Sequence, residues 1–423
     1  MSNKIAYFIA GLLLTSMITL AFFSMRNDSA IMDEVAHLPA GYAYIVKQDM
    51  RLNPEHPPLI KDLSGLSVWL WSKISKKPIN WPKNLPAWEK DINGQWDFGF
   101  NLMYDSHNDA DKMLFWGRMP MLLILLILGI YVFKWTKEAF GHKSALLALF
   151  LFSFSPTFLA HGRFVTTDVA AATGVFVASY WFVRWLKNPN LKNFTIAGFI
   201  FGLAQLAKFS LFLLVPLFFI VTLIWLVVFW LCLKLDRNRN GTLTEKITFW
   251  SYFWKYLCGV IGIIAFGYIL VVWPVYLFHV LNYPVTRQQD DIKFVLSSFG
   301  IRPIADFIYW LAGIPVFRAL AQYGYGLAMV LQRASGGNTV YFLGQVSAAG
   351  SKIYFPFVYL VKETLSLHLL TLIALILAIL ETIKNRLWRF GNLWRCFLKN
   401  VDIWVLLGFF ALYWYSSLRS NLN

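Results

Sequence analysis

The sequence is poor in charge and in cysteine. Only 14% of its 423 residues are Asp, Glu, Lys or Arg, whereas 58% are hydrophobic and 18% are aromatic. A soluble domain of this composition would expose far too much apolar surface to water. The three cysteines, Cys232, Cys258 and Cys396, lie in or beside apolar runs, so no disulfide framework is implied. The composition predicts an all-α polytopic membrane protein.

Nine apolar runs are candidates to cross the roughly 30 Å of bilayer hydrocarbon as helices. They are residues 5–24, 114–133, 144–160, 169–185, 194–207, 211–233, 257–280, 365–380 and 401–415. A cleaved signal peptide is the alternative for the first run, but that run exceeds the usual h-region of about 7–15 residues. Run 194–207 is the shortest, and its Gly198 and Gly202 form a G-x-x-x-G face that permits close helix packing. We expect about nine spans.

The basic residues are concentrated in loops that alternate with these runs. Loops 134–143, 184–193, 234–256 and 384–400 together carry 16 Lys and Arg against three acids. Segment 26–112, by contrast, holds twelve acids and ten bases. Because cytoplasmic loops collect Lys and Arg, the amino terminus is predicted to be inside and segment 26–112 outside. The net charge of +16 therefore reflects topology, and no nucleic-acid partner is expected.

Two outside segments, 26–112 and 281–362, are too long to be simple connectors. Loops longer than about 12–15 residues without structure of their own are uncommon unless they are functional. Both segments are aromatic and amphipathic, so they are predicted to contain short helices that lie on the membrane face. The stretch DFIYWLAGIPV at 306–316 could be an interfacial helix or a shallow re-entrant piece, and the sequence leaves both readings open.

Acids, histidines and a lysine cluster in segment 28–66, directly after the first span. They are Asp33, Glu34, His37, Glu55, His56 and Lys61. The double proline at 57 and 58 ends any preceding helix and suits the first turn of the next, which fixes the direction of the neighbouring polar residues. A cluster of ionisable side chains at this membrane face predicts an active site in segment 28–66.

Four ordered stretches carry a resemblance to a known family. They are DEVAHLPAGYAY from residue 33, RLNPEHPPLIK from residue 51, LAHGRFVTTDVAAA from residue 159 and GLAQLAKFS from residue 202. The chain resembles the bacterial members of the protein O-mannosyltransferase superfamily, which have the GT-C fold and include the aminoarabinose-to-lipid A transferases among their relatives. A later stretch, residues 323–365, is similar to the family's second large outside loop.

The resemblance implies a single transmembrane glycosyltransferase domain over 1–423, truncated at its carboxyl end relative to the family. It implies inverting transfer of a sugar, with mannose as one candidate, from a polyprenyl-phosphate donor. The acceptor hydroxyl is on protein, lipid or cell-wall glycan. The expected location is the outer face of a bacterial cytoplasmic membrane, and no cofactor is required.

The two carboxylates Asp33 and Asp168 are the main catalytic candidates. A glycosyl phosphate already has a good leaving group, so an enzyme needs chiefly a base for the acceptor hydroxyl and cations for the departing phosphate. The resemblance makes Asp33 the general base, with Glu34 orienting or assisting it, and Asp168 a second catalytic acid. The alternative for both aspartates is helix capping, a common role of Asp.

Several cationic and polar residues are candidates for donor binding. Lys208 lies at the outer edge between two apolar runs, where a lysine either meets a lipid phosphate or anchors the interface. Arg163 either faces phosphate or extends to lipid headgroups. The remaining substrate-binding candidates are Lys61, Glu55 and His56.

Two metal sites and one other function class are weaker alternatives. Glu34 with His37, completed by Glu55 and His56, could hold a divalent metal, but no recognised motif is present. The stretch DRNRNGTLTEKI from residue 236 mimics half a calcium loop yet has Ile247 where a Glu is required. A transporter or a flippase-like scaffold remains the alternative function, although ionisable groups inside the spans are scarce.

Overall fold

The computed structural model describes residues 2–236, 244–337, 339–347, 350–384 and 400–420, with the side chains of 232–249 excepted. Cys232, Cys396, most of the calcium-like stretch and the basic residues of 385–399 lie outside this description. The described chain is almost entirely helical, which confirms the all-α fold class.

The helices follow the apolar and amphipathic runs of the sequence. They are α1 (Asn3–Met25), α2 (Met32–Lys47), α3 (Leu59–Ser75), α4 (Pro86–Glu89), α5 (Gln95–Phe100), α6 (Ala110–Ser153), α7 (Pro156–His161), α8 (Asp168–Lys187), α9 (Leu191–Gln205), α10 (Leu214–Asp236), α11 (Thr244–Gly267), α12 (Trp273–His279), α13 (Val285–Val295), α14 (Arg302–Ala312), α15 (Arg318–Gly336), α16 (Tyr354–Lys362), α17 (Leu365–Lys384) and α18 (Val401–Arg419). One antiparallel hairpin pairs β1 (Val340–Phe342) with β2 (Gln345–Ser347).

Seven helical segments in the described residues are long and apolar enough to span a membrane. They are Asn3–Met25, Ala110–Ser153, Asp168–Lys187, Phe209–Leu231, Trp250–His279, Leu365–Lys384 and Val401–Arg419. The polytopic membrane class is therefore confirmed, although the expected number was about nine. Two of the expected runs, 114–133 and 144–160, fall in the one long segment Ala110–Ser153, in which Gly141 (φ 82°, ψ 179°) separates two helical pieces. The other difference is α9, which has only 15 residues.

The chain divides into two compact units. The first comprises Met1–Val177, Gly202–Leu211 and Gly267–Gln332, and the second comprises Ala178–Phe201, Phe212–Phe266 and Arg333–Asn423. In the second unit, Gly198 packs against Phe266, and in the first unit Gly202 packs against Val271. Both halves of the G-x-x-x-G face therefore contact a helix closely, as its small residues predict.

Helices α2 and α3 pack backbone to backbone in the first unit. A methyl group at Gly41 would lie 1.8 Å from the carbonyl oxygen of Lys61, and one at Gly65 would lie 2.2 Å from the carbonyl carbon of Gly41. Only glycine permits this approach. The contact fixes α2, which carries Asp33 and Glu34, against α3, which carries Lys61.

Part of the second long segment folds against the first. Arg287 of α13 donates to the carbonyl oxygens of Glu89, Lys90 and Asp91 at 2.8–3.1 Å. Arg318 of α15 donates to Gln288 Oε1 at 3.0 Å and to Tyr283 O at 2.5 Å. These arginines join the loops of the first unit to one another.

Helix α14 covers most of the stretch that the sequence left open between an interfacial and a re-entrant piece. It buries Ala305, Ile308 and Ala312 against the first unit. Its other side exposes Phe307 and Trp310, whose rings stack at 5.8 Å. Two such faces identify α14 as an amphipathic helix with an unburied aromatic side.

Candidate active site

The start of α2 sets the positions of the two adjacent acids. Glu34, in the first turn, accepts a hydrogen bond from the backbone N–H of Ile31 at 3.1 Å and so closes the helix end. Asp33 precedes it and points to a different side, since neighbours on a helix diverge. The side chain of Asp33 is exposed, whereas that of Glu34 is fully buried.

Glu34 forms a buried ion pair with Arg118 of α6. Arg118 Nη2 lies 2.6 Å from Glu34 Oε2, and Arg118 Nε lies 2.8 Å from Oε1. Oε1 also accepts from the N–H of Val165 at 3.0 Å. Both carboxylate oxygens of Glu34 are thus occupied by protein donors. This geometry favours the orienting role over direct contact with substrate.

Arg118 uses its remaining N–H groups to hold the turn between α1 and α2. It donates to the carbonyl oxygens of Met25, Asp28 and Ser29 at 2.9–3.0 Å. Spacing arguments could not have found the Glu34–Arg118 pair, because its members lie 84 residues apart. The available signal was an arginine inside an apolar run, which requires a buried partner.

Asp168 and Lys208 form an ion pair. Lys208 Nζ lies 2.6 Å from Asp168 Oδ1, and the side chains are 26% and 56% exposed, respectively. Asp168 is the first residue of α8, and Lys208 stands in the connection between α9 and the next apolar segment. The pair is accessible to a solute.

Asp33 belongs to the same electrostatic cluster. Although its side chain reaches solvent, desolvation by the surrounding protein is the main cause that raises the pKa of Asp33; the charges of Asp168 and Glu55 raise it further, while Lys208 lowers it. Asp33 thus lies within electrostatic range of the Asp168–Lys208 pair, and we term these three residues the acid–lysine site. Two carboxylates and one ammonium at this site match the requirement for a base and a cation.

A buried amide fixes the segment that carries Lys208. Gln205 Nε2 donates to the carbonyl oxygen of Leu211 at 2.9 Å, and Gln205 Oε1 accepts from the hydroxyl of Tyr323 at 3.0 Å. Tyr323 in turn lies 3.1 Å from the hydroxyl of Tyr268. Sequence reasoning quoted this stretch but assigned no role to Gln205. A glutamine inside an apolar run is the signal, since a buried amide needs partners.

Arg163 is held by protein groups. Its guanidinium forms an ion pair with Asp28 at 2.6 Å and donates to Ser24 Oγ and, at 3.3 Å, to Ala160 O. It also lies over the ring of Phe164. Arg163 thereby ties the loop before Asp168 to the end of α1, a positioning contact that the sequence did not indicate.

Lys61 differs from the phosphate-facing lysine that the sequence suggested. Its ammonium is fully buried and donates to the carbonyl oxygens of Asn53 and His56, each at 2.7 Å. Burial lowers the pKa of Lys61 to about 7. In this arrangement Lys61 stabilises the turn before the double proline.

Glu55 and His56 lie in the turn that Lys61 stabilises. Glu55 is buried, and its Oε1 accepts from Gln95 Nε2 at 2.6 Å. His56 is partly exposed, and its ring packs edge-on against His37 with centroids 4.9 Å apart. The charge of Glu55 acts on Asp33 of the acid–lysine site, and of the two residues His56 has the more accessible side chain.

His37 is buried behind Asp33 on α2. Its Nδ1 donates to the carbonyl oxygen of Val165 at 3.0 Å. Burial is the main cause that lowers the pKa of His37 to about 4, and the charge of Lys61 lowers it further. His37 is therefore neutral near pH 7. In the part of the chain that the structure describes, no group of three His, Cys, Asp or Glu side chains is arranged to hold a metal ion.

A comparison with protein families supports the resemblance seen in the sequence. Residues 110–236 match the model of the dolichyl-phosphate-mannose-protein mannosyltransferase family. The matched region includes Arg118, Arg163, Asp168 and Lys208, but not Asp33. No curated protein matches the chain.

Proposed function

We propose that this chain, a mannosyltransferase-like member of the GT-C superfamily, transfers a sugar from polyprenyl phosphate to an acceptor hydroxyl. The observation that carries the proposal is the acid–lysine site, in which an exposed carboxylate at the start of α2 lies within electrostatic range of an accessible Asp168–Lys208 pair. The site stands at helix ends of an integral membrane protein. A donor with its lipid tail in the bilayer can reach such a position.

Asp33 is the proposed general base. The acceptor hydroxyl gives its proton to the Asp33 carboxylate as its oxygen forms the new bond to the anomeric carbon. The bond between that carbon and the phosphate oxygen breaks, and polyprenyl phosphate leaves with the bonding electrons. A single displacement of this kind inverts the anomeric configuration. One base and one cationic site are enough for this reaction.

Lys208 is the proposed partner of the departing phosphate. Its ammonium is a compact point charge on a flexible stem, so it can turn from Asp168 towards a phosphate oxygen. Before the donor arrives, Asp168 holds Lys208 in place. Glu34, clamped by Arg118, and Arg163, clamped by Asp28, act as positioning residues. Glu55 and His56 border the sugar.

The location and the acceptor class also belong to this proposal. The distribution of Lys and Arg among the loops supports an amino terminus inside and a site on the outer face of a bacterial cytoplasmic membrane. Protein, lipid and cell-wall glycan are the acceptor classes, and mannose is one candidate sugar.

A transporter requires ionisable groups that face a pathway within the membrane. Two such groups in or near the spans are committed to protein partners. Arg118 pairs with Glu34 in the first unit, and Asp402 pairs with Lys187 in the second. These contacts support the transferase over the transporter.

The first test is mass spectrometry of glycoconjugates from cells that lack the gene and are complemented with variants. Wild-type protein and Asp97→Asn, which changes an exposed acid on α5, are expected to restore one glycoconjugate. Asp33→Asn is expected to leave it absent, because the amide cannot accept the proton. Full restoration by Asp33→Asn would refute the base, and an unchanged glycoconjugate profile without the gene would refute the transferase.

A further inference from the structure

A cavity of about 880 Å³ opens between the carboxyl end of α1 and the first turns of α6. It contains none of the acid–lysine site residues. One part of its lining is apolar and consists of Phe22, Met25, Leu114 and Phe115. The other part carries charges of both signs. The volume of the cavity suits a lipid headgroup together with the first part of an acyl chain.

The position of this α1–α6 cavity sets its depth in the membrane. Both helices are candidate spans, and α1 ends at Met25 where α6 begins at Ala110. The cavity therefore lies where two adjacent spans leave the bilayer, at the level of lipid headgroups. Phe22 and Phe115 pack edge to face, with ring centroids 6.1 Å apart, and form an apolar wall of the cavity.

Four charged residues of the lining are balanced in sign. They are Arg26, Lys112, Asp109 and Asp111. Within the described ranges, none of the four forms an ion pair. The other two charged lining residues are already committed, since Arg118 pairs with Glu34 and Asp28 pairs with Arg163. Two cations and two anions beside an apolar wall match a zwitterion that bears a hydrocarbon chain.

We propose that the α1–α6 cavity binds a phospholipid whose headgroup carries a phosphate and a primary amine. The phosphate lies between Arg26 and Lys112, and the ammonium donates hydrogen bonds to Asp109 and Asp111. The acyl chain lies along Phe22 and Phe115. A quaternary amine fits the same charges but cannot donate hydrogen bonds, so it binds more weakly. This proposal does not depend on the transferase assignment.

The cavity also adjoins residues that hold parts of the acid–lysine site in position. Arg118 forms part of its wall and holds Glu34, the neighbour of Asp33. Asp28 forms another part and holds Arg163, on the loop before Asp168. An occupant therefore contacts the residues that position both catalytic carboxylates.

The test is lipid retention by the purified full-length chain. The protein is equilibrated with mixed micelles that contain equal amounts of phosphatidylethanolamine, phosphatidylcholine and phosphatidylglycerol with identical acyl chains, and native mass spectrometry counts the retained lipids. Wild-type protein is expected to retain about ten times more phosphatidylethanolamine than phosphatidylcholine. The reason is that the quaternary amine of phosphatidylcholine cannot form the charge-assisted hydrogen bonds to the aspartates.

Two double variants test the acidic and the basic residues of the lining separately. Asp109→Asn with Asp111→Asn removes the partners of the amine, so the preference is expected to disappear and phosphatidylglycerol to be retained at least equally. The Asn at 109 keeps the helix cap that Asp109 provides to α6. Arg26→Gln with Lys112→Gln is expected to weaken retention of all three lipids. Asp97→Asn, outside the cavity, is the control and is expected to behave as wild type.

Three results would overturn the proposal. One is equal retention of the three lipids by wild-type protein, and another is preference for phosphatidylglycerol, which would indicate an anionic-lipid site. The third is an unchanged preference for phosphatidylethanolamine in the variant that lacks both aspartates. Equal melting temperatures of all variants would show that the differences arise from binding.

Discussion

At the scale of single residues, the charges around Asp33 determine when it can act as a base. Burial and the negative charge of Asp168 raise the pKa of Asp33, whereas the positive charge of Lys208 lowers it. A base must be deprotonated, so activity is lost as the pH falls through that pKa. The two neighbours therefore act on the acid limb of the pH–rate profile in opposite directions.

Replacement of each neighbour tests this arrangement. Lys208→Met is expected to shift the acid limb of kcat/KM to higher pH, and Asp168→Asn to shift it to lower pH. Lys208→Met is also expected to reduce the rate about a hundredfold through loss of phosphate stabilisation. The measurement is residual transfer across the acid range. Shifts in the same direction for both variants would contradict the placement of Asp33 in this cluster.

His37 predicts a pH dependence of stability. Its folded pKa is about 4, below the ordinary value of 6.5, so the unfolded chain binds the proton more tightly. His37 has no effect on folding free energy above about pH 6.5, and it lowers stability as the pH falls from there to about 4. The largest effect is about 3 kcal/mol.

His37→Asn removes the titration while retaining a donor for Val165 O. The melting temperature of this variant in detergent is expected to fall less than that of wild type between pH 6.5 and pH 4. Parallel curves for the two proteins would show that His37 is not buried as a neutral ring.

Single residues could be singled out from the sequence only where a motif contained them. The motif stretches singled out Asp33, Asp168 and Lys208; in the structure Asp168 pairs with Lys208, and the charges of both act on Asp33. The partners of Lys61, Arg163 and Glu34 were not predictable, because each contact depends on how separate segments pack. A buried lysine that stabilises a turn and one that meets a phosphate look alike in the sequence.

At the scale of elements, the contact between α2 and α3 holds the acids of α2 in register. Gly41→Ala is expected to destabilise the protein by about 1–3 kcal/mol, because the new methyl group meets the backbone of Lys61. Activity is expected to fall with it as Asp33 moves. Thermal unfolding and transfer assays measure both effects.

Gly11→Ala is the matched control for this contact. Gly11 lies inside α1, and a methyl group there would have no neighbour within 4 Å. It is expected to leave the melting temperature unchanged or to raise it slightly, since alanine favours helix. A Gly41→Ala protein as stable as this control would show that α2 and α3 do not approach so closely.

Most helix positions followed from hydropathy, but the helical structure of the connection between two runs did not. The runs 114–133 and 144–160 are separate in the sequence, and the non-helical backbone of Gly141 separates two helical pieces within Ala110–Ser153 at the same place. Polar residues at 134–143 suggested a loop, yet they remain helical on either side of that glycine. Helix α9, with 15 residues, is close in length to the run 194–207, and it ends at Gln205, whose Nε2 donates to the carbonyl oxygen of Leu211.

At the scale of the whole molecule, composition alone established the class. A chain with 58% hydrophobic residues has to place its helices in a bilayer, and seven described segments are able to cross one. Composition cannot show which polar residues meet, because the acid–lysine site draws on segments from residue 33 to residue 208. The family resemblance supplied that link, since its motifs occur in all of these segments.

The most direct test of the central claim is donor turnover by the purified chain in proteoliposomes. Polyprenyl phosphate that carries a radiolabelled sugar is supplied together with membrane extract as the source of acceptor. Wild-type protein is expected to release polyprenyl phosphate and to label the acceptor in equal amounts, with Asp33→Asn reduced at least about a hundredfold. Equal turnover by wild type and Asp33→Asn, or no turnover by wild type with any lipid-linked sugar, would contradict the account.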